Sequence, residues 1–300
     1  MILTGPAGNI GAPLKGAAPG TGDCWILHER ARRYHWSGAG QLSLKCFFGG
    51  GALYQLGKGY HAVDDASYLV LNAAQNYSIH IEANAPVESF CIFFGAGFAE
   101  EVHGSVNFKP ERLLDAPWQG SEPVRFFEKT YPHDSLVSPA VSRLRRLYPQ
   151  HAGESGWLEE EFHGVMQRLL RARELTRREA QTLDSVRPAT REELYRRVCR
   201  ARDYAAAMFA GPVTLAQLSA VACLSPNHLL RTFRQAFGQT PHQYLVARRL
   251  GRARELLATT ETSVTDICLE VGFESLGSFS HLFRKRFGIA PSQFRERTRP

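Results

Sequence analysis

Two segments in the last third of the chain place polar and basic side chains on one helical face. In the first segment, positions 227, 230, 231 and 234 follow the i, i+3, i+4, i+7 pattern of such a face. Arginine and asparagine there can each donate paired hydrogen bonds to a base edge in the DNA major groove, whereas additional cations suit phosphates. The side chains expected to do this chemistry are Asn227, His228, Leu230, Arg231 and Arg234, with Gly277, Ser280, His281, Arg284 and Lys285 in the second segment.

The two segments are copies of one motif. Residues 229–238 are echoed by residues 279–288, with Phe233 matching Phe283 and Phe237 matching Phe287 at a constant separation of 50 residues. Two copies are too few for a solenoid, which needs three or more repeats to bury a continuous core. A pair of small units that each end in a basic helix instead predicts contact with one long ligand at two places, and DNA is the obvious candidate.

Capping residues predict the elements that position the first copy. Thr214 begins a short helix, the following turn contains Cys223, and Ser225 with Pro226 begins a second helix that ends at Gly238. Short helix, turn and second helix are the pattern of a helix-turn-helix unit.

The second copy shows the same signals, with a turn at residues 272–273 and a cap at Ser275. Between the copies, Thr240 begins a long helix to about residue 259, which is expected to hold the two reading helices about 34 Å apart in successive major grooves. Gly251 in the middle of this helix is interpreted as a site of close packing against a neighbouring helix.

The charge of the chain is concentrated in the duplicated region. The whole chain has a formal net charge of +7, and residues 190–300 contain 17 Lys and Arg against 9 Asp and Glu. The remainder is therefore close to neutral, and the duplicated region is the expected polyanion-binding part. A helical bundle with merely solvated charges is the alternative, which the coincidence of repeat and charge disfavours.

These motifs resemble the DNA-binding domain of the AraC/XylS family of bacterial transcription regulators over about a third of the chain. The resemblance implies seven helices, two helix-turn-helix units, binding near promoters, and an N-terminal cupin-like domain for an effector or for dimerisation. His281 stands where many members have Arg, so the second unit is expected to read bases weakly, with pH sensitivity, or to contact only phosphate. The residues that carry the resemblance are 224–226, Leu229, Phe233, Phe237, Gly238, Pro241 and Tyr244, and 271–275, Phe279, 283–288 and Pro291.

The fold class expected is therefore an α+β multidomain protein. Residues 1–22, rich in Gly, Pro and Ala, are expected to form a flexible arm, and residues 23–98 a cupin-like β-barrel, because short β-branched and aromatic runs such as the alternating segment 41–47 recur there. Residues 99–187 are expected to be a helical extension and possible dimerisation region, and residues 188–300 an all-α domain with two helix-turn-helix units. Three boundaries are predicted within these regions: a strand end at residues 84–86, a short helix beginning at Thr176, and another helix beginning at Thr190.

The barrel offers candidate ligand and dimer contacts. His80 and Glu82 share one strand face and are expected to point to solvent, with Ile79 and Ile81 pointing into the barrel. The apolar stripe of Leu158, Phe162, Val165 and Leu169 is either a helix covering the barrel or a dimer seam. The candidate cavity-lining residues, each also explicable by core packing, are Trp25, Trp36, Tyr54, Tyr60, Tyr68 and Phe94.

Three functional hypotheses follow. The leading one is a sequence-specific transcription regulator, not an enzyme and without cofactor, whose partners are double-stranded DNA, a small-molecule effector, a second copy of the chain and RNA polymerase. A metal-dependent cupin enzyme with an appended DNA-binding module is the alternative, but the histidines lack the His-x-His pattern of a cupin metal site. The third is a constitutive DNA-binding protein whose barrel only dimerises.

The remaining features concern the cellular compartment. The six cysteines lack metal-binding or redox spacing and are expected to be buried in a reducing cytoplasm, with redox sensing as the alternative. No apolar run is long enough for a spanning helix, and no signal peptide is recognised, so the expected location is cytoplasmic and no membrane partner is expected.

Overall fold

The computed structural model describes residues 24–107, 123–184 and 187–298, which divide into two compact units. The first unit runs to Glu192 and the second begins at Glu193. The expected flexible arm, residues 1–22, lies outside the described residues.

One antiparallel sheet forms the β part of the first unit. The described strands are β1 (Trp25–Ala39), β2 (Leu42–Phe48), β3 (Ala52–Leu56), β4 (Gly59–Val63), β5 (Ser67–Leu71), β6 (Asn76–Phe94) and β7 (Thr130–Pro132). In the order β4-β3-β6-β2-β5-β7, both β3 and β2 pair along one edge of the long strand β6, and β1 pairs along its other edge. The sheet therefore curls into a nearly closed barrel, as predicted for this region.

The predicted strand end at residues 84–86 is wrong, because β6 continues through this segment. Its pairing with β1 changes register there: Ala31 lies opposite Val87, whereas Arg33 lies opposite Glu82. The irregularity accommodates Pro86, which lacks the N–H that a regular ladder requires. Strand β7, in the region expected to be helical, was also not predicted, and it pairs with β5.

The sheet has two buried faces. Along β2, Leu44 and Cys46 contribute to a core shared with helices, whereas Phe47 contributes to a second core inside the barrel. The alternation follows from the strand period of two. The helices on the outer face are α1 (Phe98–Asn107), α2 (Ser138–His151) and α3 (Ser155–Gln181).

The predicted apolar stripe lies on α3 and is buried within the first unit. Leu158, Phe162, Val165 and Leu169 are between 1% and 5% exposed and belong to the core on the outer face of the sheet. Of the two alternatives, the position is that of a helix covering the barrel. The four side chains are already covered within their own chain, which removes them from the surface on which a dimer would form.

Two predicted helix starts are wrong. Helix α3 continues through Thr176, whose hydroxyl donates to the carbonyl of Ala172 one turn earlier instead of capping a new helix. The next helix, α4 (Pro188–Ala207), begins at Pro188 rather than at Thr190, because proline at a first helical position loses no hydrogen bond.

The second unit is helical and contains two small cores. Phe233 and Phe283 occupy equivalent positions: each ring packs on the phenylalanine four residues later, with centroids 4.7 Å apart at Phe237 and 4.6 Å apart at Phe287. The sequence repeat is therefore a repeat of packing. The remaining helices are α5 (Leu215–Ala222), α6 (Pro226–Phe237), α7 (Pro241–Thr259), α8 (Val264–Glu270), α9 (Leu276–Phe287) and α10 (Pro291–Thr298).

The predicted caps are present. Thr214 and Thr240 each form a capping box, and the Ser225 and Ser275 hydroxyls accept from backbone N–H groups at the start of α6 and α9. The interpretation of Gly251 is wrong, because, apart from its two chain neighbours and the nearby backbone of its own helix, no described atom lies within 4 Å of the position that its Cβ would occupy. Close packing therefore does not account for a glycine there.

The two turns differ in chemistry. Cys223 adopts a left-handed conformation with φ of 51° and is exposed, contrary to the expectation of buried cysteines. Gly272 holds the equivalent left-handed position with φ of 89°. A Cβ on Gly272 would lie 2.7 Å from the carbonyl oxygen of Ala210, so the second turn requires glycine for space as well as for conformation.

Candidate nucleic-acid interface and ligand cavity

The first candidate DNA-reading surface is the outward face of α6. Leu229 and Phe233 are fully buried on the opposite face, which fixes the rotation of the helix. Asn227, Arg231 and Arg234 are consequently exposed. The two less exposed candidates on this helix, His228 and Leu230, are half-buried.

The equivalent surface on α9 has the same construction. Phe279 and Phe283 are fully buried, and Gly277, His281 and Arg284 are exposed. Lys285 is also exposed and Ser280 is half-buried.

Four basic side chains on the two surfaces have no hydrogen-bond or ion-pair partner within the described residues. Within the described part of the chain, the side chains of Arg231, Arg234, Arg284 and Lys285 form no hydrogen bond or ion pair. Uncommitted guanidinium and ammonium groups on one helical face retain all their donors for an anionic partner.

Other basic residues of this unit are structural. Arg249 on α7 donates to the carbonyl oxygens of Phe209 and Gly211, at 2.8 and 2.9 Å, and burial lowers its pKa. Arg202 on α4 pairs with the buried carboxylate of Asp203. The structure thus separates cations that hold the unit together from cations that face outward, a distinction that net charge does not make.

A cavity of about 760 Å³ opens inside the barrel. Of the predicted lining residues, Trp25, Trp36, Tyr54 and Phe94 line it. The cavity is lined mainly by aromatic and aliphatic side chains and has the size of a small-molecule site.

Two predicted lining residues lie elsewhere. Tyr68 belongs to the core between the sheet and the helices, where it stacks on Tyr131 with centroids 5.2 Å apart and donates to Asp134. It therefore faces away from the cavity. Tyr60 on β4 is half-buried and does not line the cavity.

Among the lining residues that the sequence did not predict, Lys45 is a buried cation. Its side chain is inside the barrel, with the residue 2% exposed, and its ammonium lies 3.6 Å from the centroid of the Phe93 ring. Burial lowers the pKa of Lys45 to about 8. The available signal was its place in the alternating segment of β2, where it lies on the same face as Phe47.

Among the histidines of the first unit, His35 on β1 lies opposite His80 on β6, with ring centroids 6.2 Å apart. No cluster of three or more His, Cys, Asp or Glu side chains suited to a metal ion occurs among the described residues. His80 and Glu82 are exposed and 3.4 Å apart, with Ile79 and Ile81 buried, as predicted.

In the ranges that the structure describes, no helix has the length and apolar character needed to cross a membrane.

An ion cluster around Glu88 connects the sheet to α2. The Glu88 carboxylate is 8% exposed and accepts from Arg145 at 2.5 and 3.0 Å, from Arg30 at 3.0 Å, and lies 3.0 Å from His28. The Arg145 hydrogen bonds contribute most to lowering the pKa of Glu88 to about 2. This cluster is a structural anchor on the helix side of the sheet.

The sequence is similar to a known domain family and to known transcription regulators. Residues 218–297 match the helix-turn-helix domain family. The chain is 30% identical over 242 residues to the HTH-type transcriptional activator RhaR of Shigella dysenteriae serotype 1 (strain Sd197), which spans 80% of this chain and 81% of that protein. RhaR of Escherichia coli O139:H28 (strain E24377A / ETEC) gives the same identity of 30% and the same coverage of 80% and 81%.

Two solved structures are similar to about a third of the chain. A probable AraC family transcriptional regulator from Rhodopseudomonas palustris CGA009 has 32% identity and a TM-score of 0.33, covering 35% of this chain and 98% of that chain. The DNA-binding domain of AdpA, in complex with a target DNA, has 27% identity and a TM-score of 0.33, covering 33% of this chain and 90% of that chain. The match to full-length regulators covers about four fifths of both chains, and the chain belongs to the AraC family of DNA-binding transcription regulators.

Proposed function

We propose that the chain binds promoter DNA through two helix-turn-helix units, formed by α5 with α6 and by α8 with α9. The proposal is based on the two equivalent helices α6 and α9. In each helix the buried phenylalanines fix its rotation, so that basic side chains without an ion-pair partner among the described residues face outward. Residues 188–300 are proposed as the DNA-binding domain, with α7 as the connection between the two units. Because the named RhaR relatives are activators, activation through contact with RNA polymerase is the proposed outcome.

Within the proposed interface, the residues divide by reach and chemistry. Arg231 is proposed to donate two hydrogen bonds to guanine, and Asn227 to pair with adenine. Arg234, Arg284 and Lys285 are proposed to contact phosphates. The flanking contacts are proposed for His228, Leu230, Gly277, Ser280 and His281.

The first unit, residues 23–98 with the helical extension 99–187, is proposed to be a cupin-like sensor. Its cavity, lined in part by Trp25, Trp36, Tyr54 and Phe94, supports the binding of a small-molecule effector. Dimerisation through this unit is proposed to use surfaces other than the buried stripe of α3, and the protein is proposed to act in the cytoplasm.

The experiment is genome-wide footprinting with the full-length chain, followed by fluorescence anisotropy on the recovered sites and on shuffled duplexes. We expect binding to the recovered site to be tighter by about 10³-fold or more, as is typical of specific regulators. We also expect log K to fall steeply with log[salt], because several cations displace counterions. Equal affinity for recovered and shuffled duplexes would overturn the proposal.

A further inference from the structure

Three polar side chains line the barrel cavity without a hydrogen-bond or ion-pair partner among the described residues. Lys45, Tyr54 and Tyr77 are 2%, 1% and 8% exposed, and all three line the cavity. None forms a hydrogen bond or an ion pair within the described ranges. Their polar atoms do not belong to the fully buried, unpartnered polar atoms of the described residues, so they open onto the cavity and are available to a ligand there.

The three side chains are neighbours. The Lys45 ammonium lies 5.8 Å from the centroid of the Tyr77 ring, and the Tyr54 and Tyr77 rings are 5.7 Å apart. Burial raises the pKa of both tyrosines, so their hydroxyls remain neutral donors. The wall therefore presents hydrogen-bond donors from an ammonium and two hydroxyls.

The charge of Lys45 is not neutralised by the cavity wall. Even with a pKa of about 8, Lys45 is mostly protonated at pH 7. The described lining residues include two carboxylates: Glu29 is exposed and forms no ion pair with Lys45, and Glu100 accepts from the backbone N–H of Val124 at 2.7 Å. The ammonium lies over the face of Phe93, which attracts a cation without neutralising it.

The wall beside Lys45 is flat and aromatic. Trp25 stacks on Phe93 with centroids 3.9 Å apart and an interplanar angle of 2°. The Trp25 indole N–H is already used, since it donates to Gln41 at 3.0 Å. The stacked pair thus offers apolar surface next to the donors.

We propose that this cavity binds a small organic monocarboxylate, with its carboxylate held by Lys45, its oxygen atoms accepting from Tyr54 and Tyr77, and its flat apolar body against the aromatic wall. The inference rests on the proposed effector role of the first unit and names the class of effector. A single negative charge matches Lys45, the ammonium buried in the described cavity wall, whereas the other cation that lines the cavity, Arg125, is exposed.

The experiment uses the full-length chain and matched acid and amide pairs: 2-naphthoate with 2-naphthamide, and octanoate with octanamide. Binding is measured by calorimetry and by the shift in thermal unfolding. We expect at least one acid to bind about 10- to 100-fold more tightly than its amide, the range expected for hydrogen bonds to a charged group. Lys45→Met should abolish this preference, and the control Lys58→Met, in the exposed β3–β4 turn, should retain it.

Folding of the variant is monitored independently. Because Lys45→Met removes an unpaired buried charge, the ligand-free variant should unfold at the same temperature as the wild type or higher. Tyr54→Phe and Tyr77→Phe should weaken binding of the preferred acid, with little change in the unfolding temperature of the ligand-free protein, since their hydroxyls have no described partner to lose. A marked fall in the unfolding temperature of ligand-free Lys45→Met would show that the lysine serves the fold and would overturn the inference.

The outcomes separate this inference from the effector role. Equal binding of acid and amide would overturn the anion assignment and leave the cavity as an effector site for neutral molecules. Failure of every acid and amide to bind would overturn the anion assignment and the effector role together, while the DNA-binding proposal is tested separately by footprinting.

Discussion

Arg202 and Asp203, consecutive residues of α4, form an ion pair in which the carboxylate is completely buried. The guanidinium and carboxylate atoms approach to 2.6 Å, and the two side chains are 13% and 0% exposed. The guanidinium also lies 5.3 Å from the ring centroid of Phe237 at the end of α6. This pair therefore links α4 to the helix that carries the first proposed reading surface.

We predict that Asp203→Asn destabilises the protein by about 3–5 kcal/mol, because it removes the negative charge of a buried ion pair. Denaturant titration through the unfolding transition of the second unit measures the change in its free energy of unfolding. The matched control is Glu255→Gln, which breaks the exposed Arg252–Glu255 pair and should change stability by about 0–1 kcal/mol. Equal effects of the two variants would contradict the importance of burial.

Two glycines of the second unit should respond in opposite directions to alanine. Gly251→Ala should stabilise by about 1 kcal/mol, because it lies inside α7 with open space at the Cβ position. Gly272→Ala should destabilise by about 1–3 kcal/mol from its left-handed conformation, and further from contact with Ala210. Thermal unfolding of both variants tests this, and the same sign for both would refute the packing described here.

Arg231→Ala should weaken binding to a recovered site by about 1–3 kcal/mol and relax preference at one base position. Arg284→Ala should weaken binding to all duplexes and lower the salt slope by about one, because a phosphate contact carries no sequence information. Arg252→Ala, on the connecting helix, is the charge-matched control. Uniform weakening by Arg231→Ala across all sequences would rule out direct base reading by this residue.

Glu88 should make the first unit sensitive to acid. Its folded-state pKa of about 2 lies below its ordinary value of 4.5, so it stabilises the fold fully above about pH 4.5 and progressively less as pH falls towards 2. Glu88→Gln should cost about 1.5–3 kcal/mol at pH 7, the range for hydrogen bonds to a charged group. The difference in unfolding free energy between the wild type and Glu88→Gln should shrink as pH falls from about 4.5 towards 2.

The control for acid sensitivity is Glu82→Gln, which removes the exposed partner of His80. Unfolding followed from pH 7 to pH 2 should show little difference between this variant and the wild type. A Glu88→Gln variant with unchanged stability at pH 7 would show that the Arg145 contacts do not hold α2 to the sheet.

A fragment of residues 188–300 should fold alone, because α4 supplies Val198, Ala201 and Ala205 to the core of the first helix-turn-helix pair. A shorter fragment beginning at residue 209 should not, since it lacks these side chains. Circular dichroism and cooperative unfolding measure both. Equal behaviour of the two fragments would place the boundary of the DNA-binding domain elsewhere.

Local signals in the sequence determined the second unit. The capping residues Thr214, Ser225 and Thr240, and the duplicated phenylalanines, predicted helix boundaries and the rotation of α6 and α9. These signals act within one or two helical turns, so they need no knowledge of distant contacts. The outward placement of Arg231 and Arg284 followed from the same short-range geometry.

The first unit depended on long-range packing. Alternation along β2 fixed which residues share a face, but only the curled sheet decided that the face with Lys45 turns into the barrel while that with Leu44 meets the helices. Likewise, β6 continues through Pro86 because it pairs with β1 on both sides of this residue. Leu158 and Tyr68 are buried because they pack in the core between the sheet and the helices. The alternation along a strand shows which residues share a face, but it does not show which face points into the barrel. Packing partners that are distant in the sequence decide that orientation.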